Sequence, residues 1–100
     1  MAHNTILAAQ TAAAAVTLDL SKYLTTQVIV HGLAGSETIS VEIGTSAGFV
    51  AFEDAAGAPV VFNATLTMFN LPTGLFRLTK GITVGATGID TIYGQTVVTH

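Results

Sequence analysis

Apolar and polar residues alternate with a period of two along most of the chain. Val16, Leu18 and Leu20 alternate with Thr17 and Asp19, and Ile39, Val41 and Ile43 alternate with Ser40 and Glu42. Leu66 and Met68 alternate with Thr65 and Thr67, and Phe76 and Leu78 with Leu75, Arg77 and Thr79. This is the pattern of strands with one face inward and a threonine-rich face outward. Glycine, proline and aspartate break it at residues 32–36, 44–48, 54–59, 70–74 and 85–88, where turns need them. The spacing predicts strands near 4–9, 15–20, 26–31, 38–43, 48–53, 59–62, 64–69, 74–79 and 89–93. Residues 8–15 are alanine-rich, but the run has no charged face and is shorter than the ~12 residues an unsupported helix needs. It reads as extended. The expected fold is all-β: a single small β-sandwich, Ig-like or jelly-roll-like and mostly antiparallel, with about eight or nine short strands. It spans residues 1–100, and residues 1–15 are expected to form an extended N-terminal arm.

Composition sharpens this picture at the surface. The chain has 100 residues, 50% of them hydrophobic and only 9% charged, where an ordinary domain carries about 25% charged residues. Thr, Ser, Asn, Gln, Ala and Gly must therefore make up most of the exterior. No run reaches the ~18 apolar residues of a membrane-spanning helix, so a surface packed against other proteins is the better explanation. Lys22, Arg77 and Lys80 are the only lysines and arginines, and the net charge is −3. No basic patch for nucleic acid can be built from them. Cysteine is absent, which removes disulfides, thiol chemistry and cysteine metal sites. The N-terminus has an apolar run without a cationic lead, so a signal peptide is not expected. Asn63-Ala64-Thr65 spells a glycosylation sequon, which gains meaning only with secretion.

Four groups of residues invite a chemical reading. Residues 44–48, GTSAG, match the nucleophile elbow G-x-S-x-G, and Asp90 and His100 follow in hydrolase order. Phe49-Val50-Ala51-Phe52 continues as strand, not as the helix an elbow requires, so the motif reads as a hairpin turn. Glu53 and Asp54 are neighbours that point to opposite faces of a strand; Asp54 reads as a turn residue bonding nearby N–H groups, with a weak calcium site as the lesser reading. His3, His31 and His100 are too dispersed for a metal triad, and His31 reads as an outward residue at a strand end. Arg77, mid-strand and off the core, is expected to pair across strands with Glu42 or to anchor a partner, a role in which arginine is enriched. No catalytic, cofactor-binding or metal residues follow from these groups, and no enzyme is expected.

The opening TILAAQTAAA, the segment GLAGSETISVEI, the turn FEDAAGAPV and the strand containing Gly74, Phe76 and Arg77 before VGATGI together resemble small β-rich virion proteins of tailed bacteriophages. The nearest kind is the capsid decoration or cement protein. The resemblance implies a protein made in the host cytoplasm and carried on the outer capsid surface. It also implies binding to the major capsid protein or other virion proteins, homo-oligomers, and no cofactor, nucleic-acid or membrane partner. Ile6 and Leu7 in the N-terminal arm, with Arg77, are the expected partner-interface residues. A tail, neck or fibre component would look similar. A ligand-binding sandwich is the alternative from another class, although sugar faces favour aromatic platforms, this chain has no Trp and only Tyr23 and Tyr93 as tyrosines, and Phe49, Phe52, Phe62, Phe69 and Phe76 are mostly needed for the core.

Overall fold

The structure is a computed structural model, and it describes residues 3–97. The first sheet has the order β1 (His3–Gln10), β9 (Thr87–Tyr93), β3 (Thr25–His31), β7 (Met68–Pro72). The second runs β2 (Ala14–Asp19), β8 (Leu75–Lys80), β4 (Ile39–Thr45), β5 (Gly48–Ala51), with β6 (Val61–Phe62) also on β4. Every strand pair is antiparallel. The expected all-β sandwich is thus what these residues build.

Alternation places the core. Val28, Val30, Leu71 and Ile89 of the first sheet lie buried with Leu18, Ile39, Val41, Phe62, Phe76 and Leu78 of the second. Phe52 ties the layers together, edge-on to Phe76 at 5.3 Å and to Phe69 at 6.3 Å. At one end Tyr23 and Tyr93 stack with ring centroids 4.3 Å apart.

Two expectations need correction. The segment 64–69 is not a strand with Leu66 and Met68 inward. The Oδ1 of Asn63 accepts from the amides of Thr65 and Leu66, which bends the chain into a turn. Pairing with β3 begins at Met68, so Phe69 and Leu71 face the core while Leu66 and Met68 are exposed. An odd-residue shift in a strand reverses its faces. The second correction concerns residues 1–15. From His3 onward they are extended as read, but β1 pairs with β9 and β2 with β8 of the same chain, so the arm is built into the sandwich. Two register shifts in β1, between Thr5 and Leu7 and between Leu7 and Gln10, are bulges that let Ile6 and Leu7, adjacent in sequence, both pack against the core.

The inner face of the first sheet is unusually polar. Thr26, Thr87 and Thr91 are fully buried, and the hydroxyls of Thr26 and Thr91 have no hydrogen-bond partner among the described residues. An unmet hydroxyl in an apolar core costs about 1–3 kcal/mol. Thr91→Val, which keeps the shape, is therefore expected to raise the unfolding free energy by about 1 kcal/mol. Chemical denaturation checks it; a loss of stability would contradict this account of the hydroxyl.

Candidate functional site

The loops at residues 11–13, 32–38, 63–67 and 81–86 gather at one end of the sandwich, and their interactions make the most distinctive surface of the protein. Residues 81–86, GITVGA, only overlap the break that the sequence pattern puts at residues 85–88. Here they form a fixed tip. The amide of Thr83 donates to the Thr11 carbonyl at 2.9 Å and its hydroxyl donates to the Gly85 carbonyl at 2.8 Å. Thr83 is buried, so its neighbours on either side turn outward: Ile82 is 82% exposed and Val84 93%.

Both charges beside the tip are engaged within the protein. Glu37 accepts from the amide of Val84 at 2.7 Å and from that of Ala34 at 2.9 Å. Lys80 follows Phe76 and Leu78 on the inward face of β8 and is 2% exposed. Its Nζ reaches out of the core end to donate to the carbonyls of Ala12 at 2.6 Å and Gly81 at 2.9 Å, the snorkelling that a long amphipathic stem permits. The other exposed residues of the tip itself are Gly81, Gly85 and Ala86. Nothing in the local sequence signals this, because Glu37 and Thr11 are distant in the chain.

The amides of Val84 and then Ala34 hold the Glu37 carboxyl below its ordinary pKa. Such a group stabilises the fold above its unfolded-state pKa, and the contribution disappears as pH falls through the depressed folded value. In an NMR titration the Val84 amide is expected to move with a midpoint below about 4.3, the usual glutamate value, and Glu37→Gln is expected to abolish the movement. A midpoint at or above the usual value would contradict the tether.

The other candidate residues lie elsewhere. Arg77 meets Glu42 directly across β8 and β4, with Nε 2.9 Å from Oε1 and a second bond at 3.2 Å from Nη2. The expected cross-strand pair is there, and Arg77 foremost, through its hydrogen bond, lowers the Glu42 pKa. Its guanidinium also lies 4.4 Å from the centre of the Phe49 ring, so Phe49 serves the outer face and not the core, as had been expected of it. Ile6 and Leu7 are half-buried on the opposite sheet. The three residues do not form one surface.

GTSAG is the β4–β5 hairpin, as read. Thr45 Oγ1 donates to the Gly48 carbonyl at 2.7 Å and accepts from the Ala47 amide, while Gly48 takes the positive φ of 102°. Asp90 belongs to the outer face of the other sheet, 3.7 Å from His31, and His100 and the side chain of His3 lie outside the described residues. Asp54 caps its own turn, Oδ1 accepting from Ala56 and Ala58, so one oxygen of any calcium reading is already engaged. Among the described residues no three His, Asp or Glu side chains gather for a metal ion. A depression of about 310 Å³ between the loops 32–38 and 63–67 is lined by Gly35, Ser36, Thr38, Asn63, Ala64 and Thr65, without an aromatic or charged wall. Comparison with known proteins finds no matching family model, no matching curated protein and no matching solved structure.

Proposed function

We propose that the chain is a structural virion protein of the decoration or cement type, which attaches to the major capsid protein shell through the tip at residues 81–86. The observation that carries the attachment is the presentation of Ile82 and Val84 on a braced loop whose neighbouring charges, Glu37 and Lys80, are both engaged internally. A tip of this kind suits an apolar, uncharged recess on a protein. Bilayer-binding surfaces favour aromatic residues with a cationic rim, and this tip offers neither. The scarcity of charge over the whole chain fits a life in protein contacts, since charged residues are depleted at interface centres. The placement on a phage capsid rests on the resemblance of the sequence.

Quantitative mass spectrometry of purified particles tests the placement: copies near-stoichiometric with the shell protein are expected, a handful would move the chain to tail or neck, and absence would overturn the reading. Binding to purified shells tests the tip. Ile82→Ser with Val84→Ser should weaken it about a hundredfold or more, from lost aliphatic burial, while wild-type binding survives 1 M salt, which screens charge attraction (Debye length about 3 Å). Unchanged binding by the double variant would rule out the tip.

A further inference from the structure

Four strand edges bound the two sheets, and three of them are defended against adding another strand. β1 is bulged twice. β7 has five residues and ends on Pro72. β5 has four, and the chain then leaves the sheet through the small hairpin closed by the Glu53–Pro59 bridge before β6. Bulges, prolines and short, interrupted strands are the usual means of blunting an edge. β2 has none of them. Its six residues, AAVTLD, pair one-to-one with β8 from Ala14↔Lys80 to Asp19↔Leu75 without a shift. It contains no proline, lysine or arginine, and its one charge, Asp19, stands at the end.

The direction of the free hydrogen-bonding groups follows from the end of the ladder. The Leu20 amide donates to the Gly74 carbonyl at 2.8 Å, continuing the β2–β8 register. In an antiparallel pair such bonded positions alternate. Leu18, Val16 and Ala14 therefore bond β8, while the N–H and C=O groups of Ala15, Thr17 and Asp19 point out of the sheet edge, where no described strand pairs with them.

We propose that this edge is a self-association site: β2 of a second copy pairs antiparallel with β2, about a twofold axis through Thr17. The register is fixed by the sequence of the strand. Directly opposed residues share a face, so Thr17 meets Thr17, Val16 meets Leu18 and Ala15 meets Asp19. All three outward-pointing positions are used, giving about six new backbone hydrogen bonds. Val16, half-buried at the margin of the sandwich, gains the partner's Leu18 beside it. Asp19 faces alanine, and the two aspartates lie about 13 Å apart along the strands, beyond the Debye length of about 8 Å at physiological salt. Arg77, opposite Thr17 on β8, is already joined to Glu42, and the Lys80 ammonium, opposite Ala14, is bonded to the Ala12 and Gly81 carbonyls. The result is a continuous ten-stranded sheet, five strands from each copy. This pairing does not rest on the virion reading, and it leaves the apolar tip free.

Sedimentation of the full chain tests it. The wild type is expected to be a dimer at micromolar concentration. Thr17→Pro removes an amide that β8 does not use and should raise the dissociation constant about tenfold or more. Because proline can disturb folding, Thr17→Cys provides a second measurement in a chain that has no cysteine. Directly opposed Cα atoms in a bonded antiparallel pair are about 5.5 Å apart, within disulfide reach, so mild oxidation should link the dimer at position 17. Thr79→Cys, exposed on the same face of β8, should not link. A wild type that remains monomeric, or a dimer that neither Thr17→Pro weakens nor Thr17→Cys links, would overturn the proposal.

Discussion

Replacing Gly32 with alanine is expected to lower the unfolding free energy by about 3 kcal/mol or more. Gly32 joins β3 to the loop that carries Glu37, and it has a φ of +94°. L-residues avoid that side of the φ range at a cost of roughly 1–2 kcal/mol. Space adds to the penalty: a Cβ there would lie 2.1 Å from the Ala86 carbonyl oxygen and 3.1 Å from the Thr87 Cα. Both belong to the main chain, so no side-chain rotation relieves the overlap. The loop at 81–86 would have to move, taking Ile82 and Val84 with it. Gly35 is the control. It too has positive φ, at 58°, but nothing lies within 4 Å of the added carbon, so Gly35→Ala is expected to cost only about 1 kcal/mol. Denaturant unfolding followed by circular dichroism measures both. Equal losses would mean that the close approach of Gly32 to Ala86 does not govern the tip.

Phe76→Ala is expected to cost about 3–5 kcal/mol, the range for deleting a buried aromatic ring. Phe76 is fully buried, and its ring meets Phe52 edge-on at 90°, an arrangement that adds to the burial itself. Removing it opens a void between the two sheets and strips the Phe52 ring of its edge-on contact with Phe76. Small domains are stable by only about 5–15 kcal/mol, so the variant should be largely unfolded in mild denaturant. Phe49→Ala is the matched comparison. It removes the same side chain from the outer face, where the ring supports Arg77, and should cost about 1 kcal/mol or less. Similar losses at the two positions would contradict the assignment of Phe49 to the surface.

The same contrast between Phe76 and Phe49 shows what the sequence made legible. Strands β2, β3, β4 and β8 alternate cleanly because each has one face on the core, and their bounds fall within a residue or two of expectation. Arg77 was placed opposite Glu42 from strand parity in a chain with few other charges to choose from. Phe49 misled because hydrophobicity alone does not say which face a ring occupies; its parity opposite Gly44 does. β7 slipped because Asn63 formed a turn with its side chain where the pattern of Leu66 and Met68 suggested a strand. The tip was invisible for a different reason. The exposure of Ile82 and Val84 follows from bonds between Thr83 and Thr11 and between Val84 and Glu37, and such bonds join loops that local pattern treats one at a time.

The pairing of β1 with β9 has a consequence during synthesis. β1 leaves the ribosome well before its strand partner among the described residues, β9 at residues 87–93. β2 likewise waits for β8. At translation rates of about 5–20 residues per second, both early strands remain without their native neighbours for several seconds, while the β4–β5 hairpin is complete within a few residues of chain. Pairings so distant in sequence also close slowly once they become available. The nascent protein therefore passes through a period in which its alanine- and threonine-rich segment 3–19 is open to chaperones, or to another nascent copy emerging nearby.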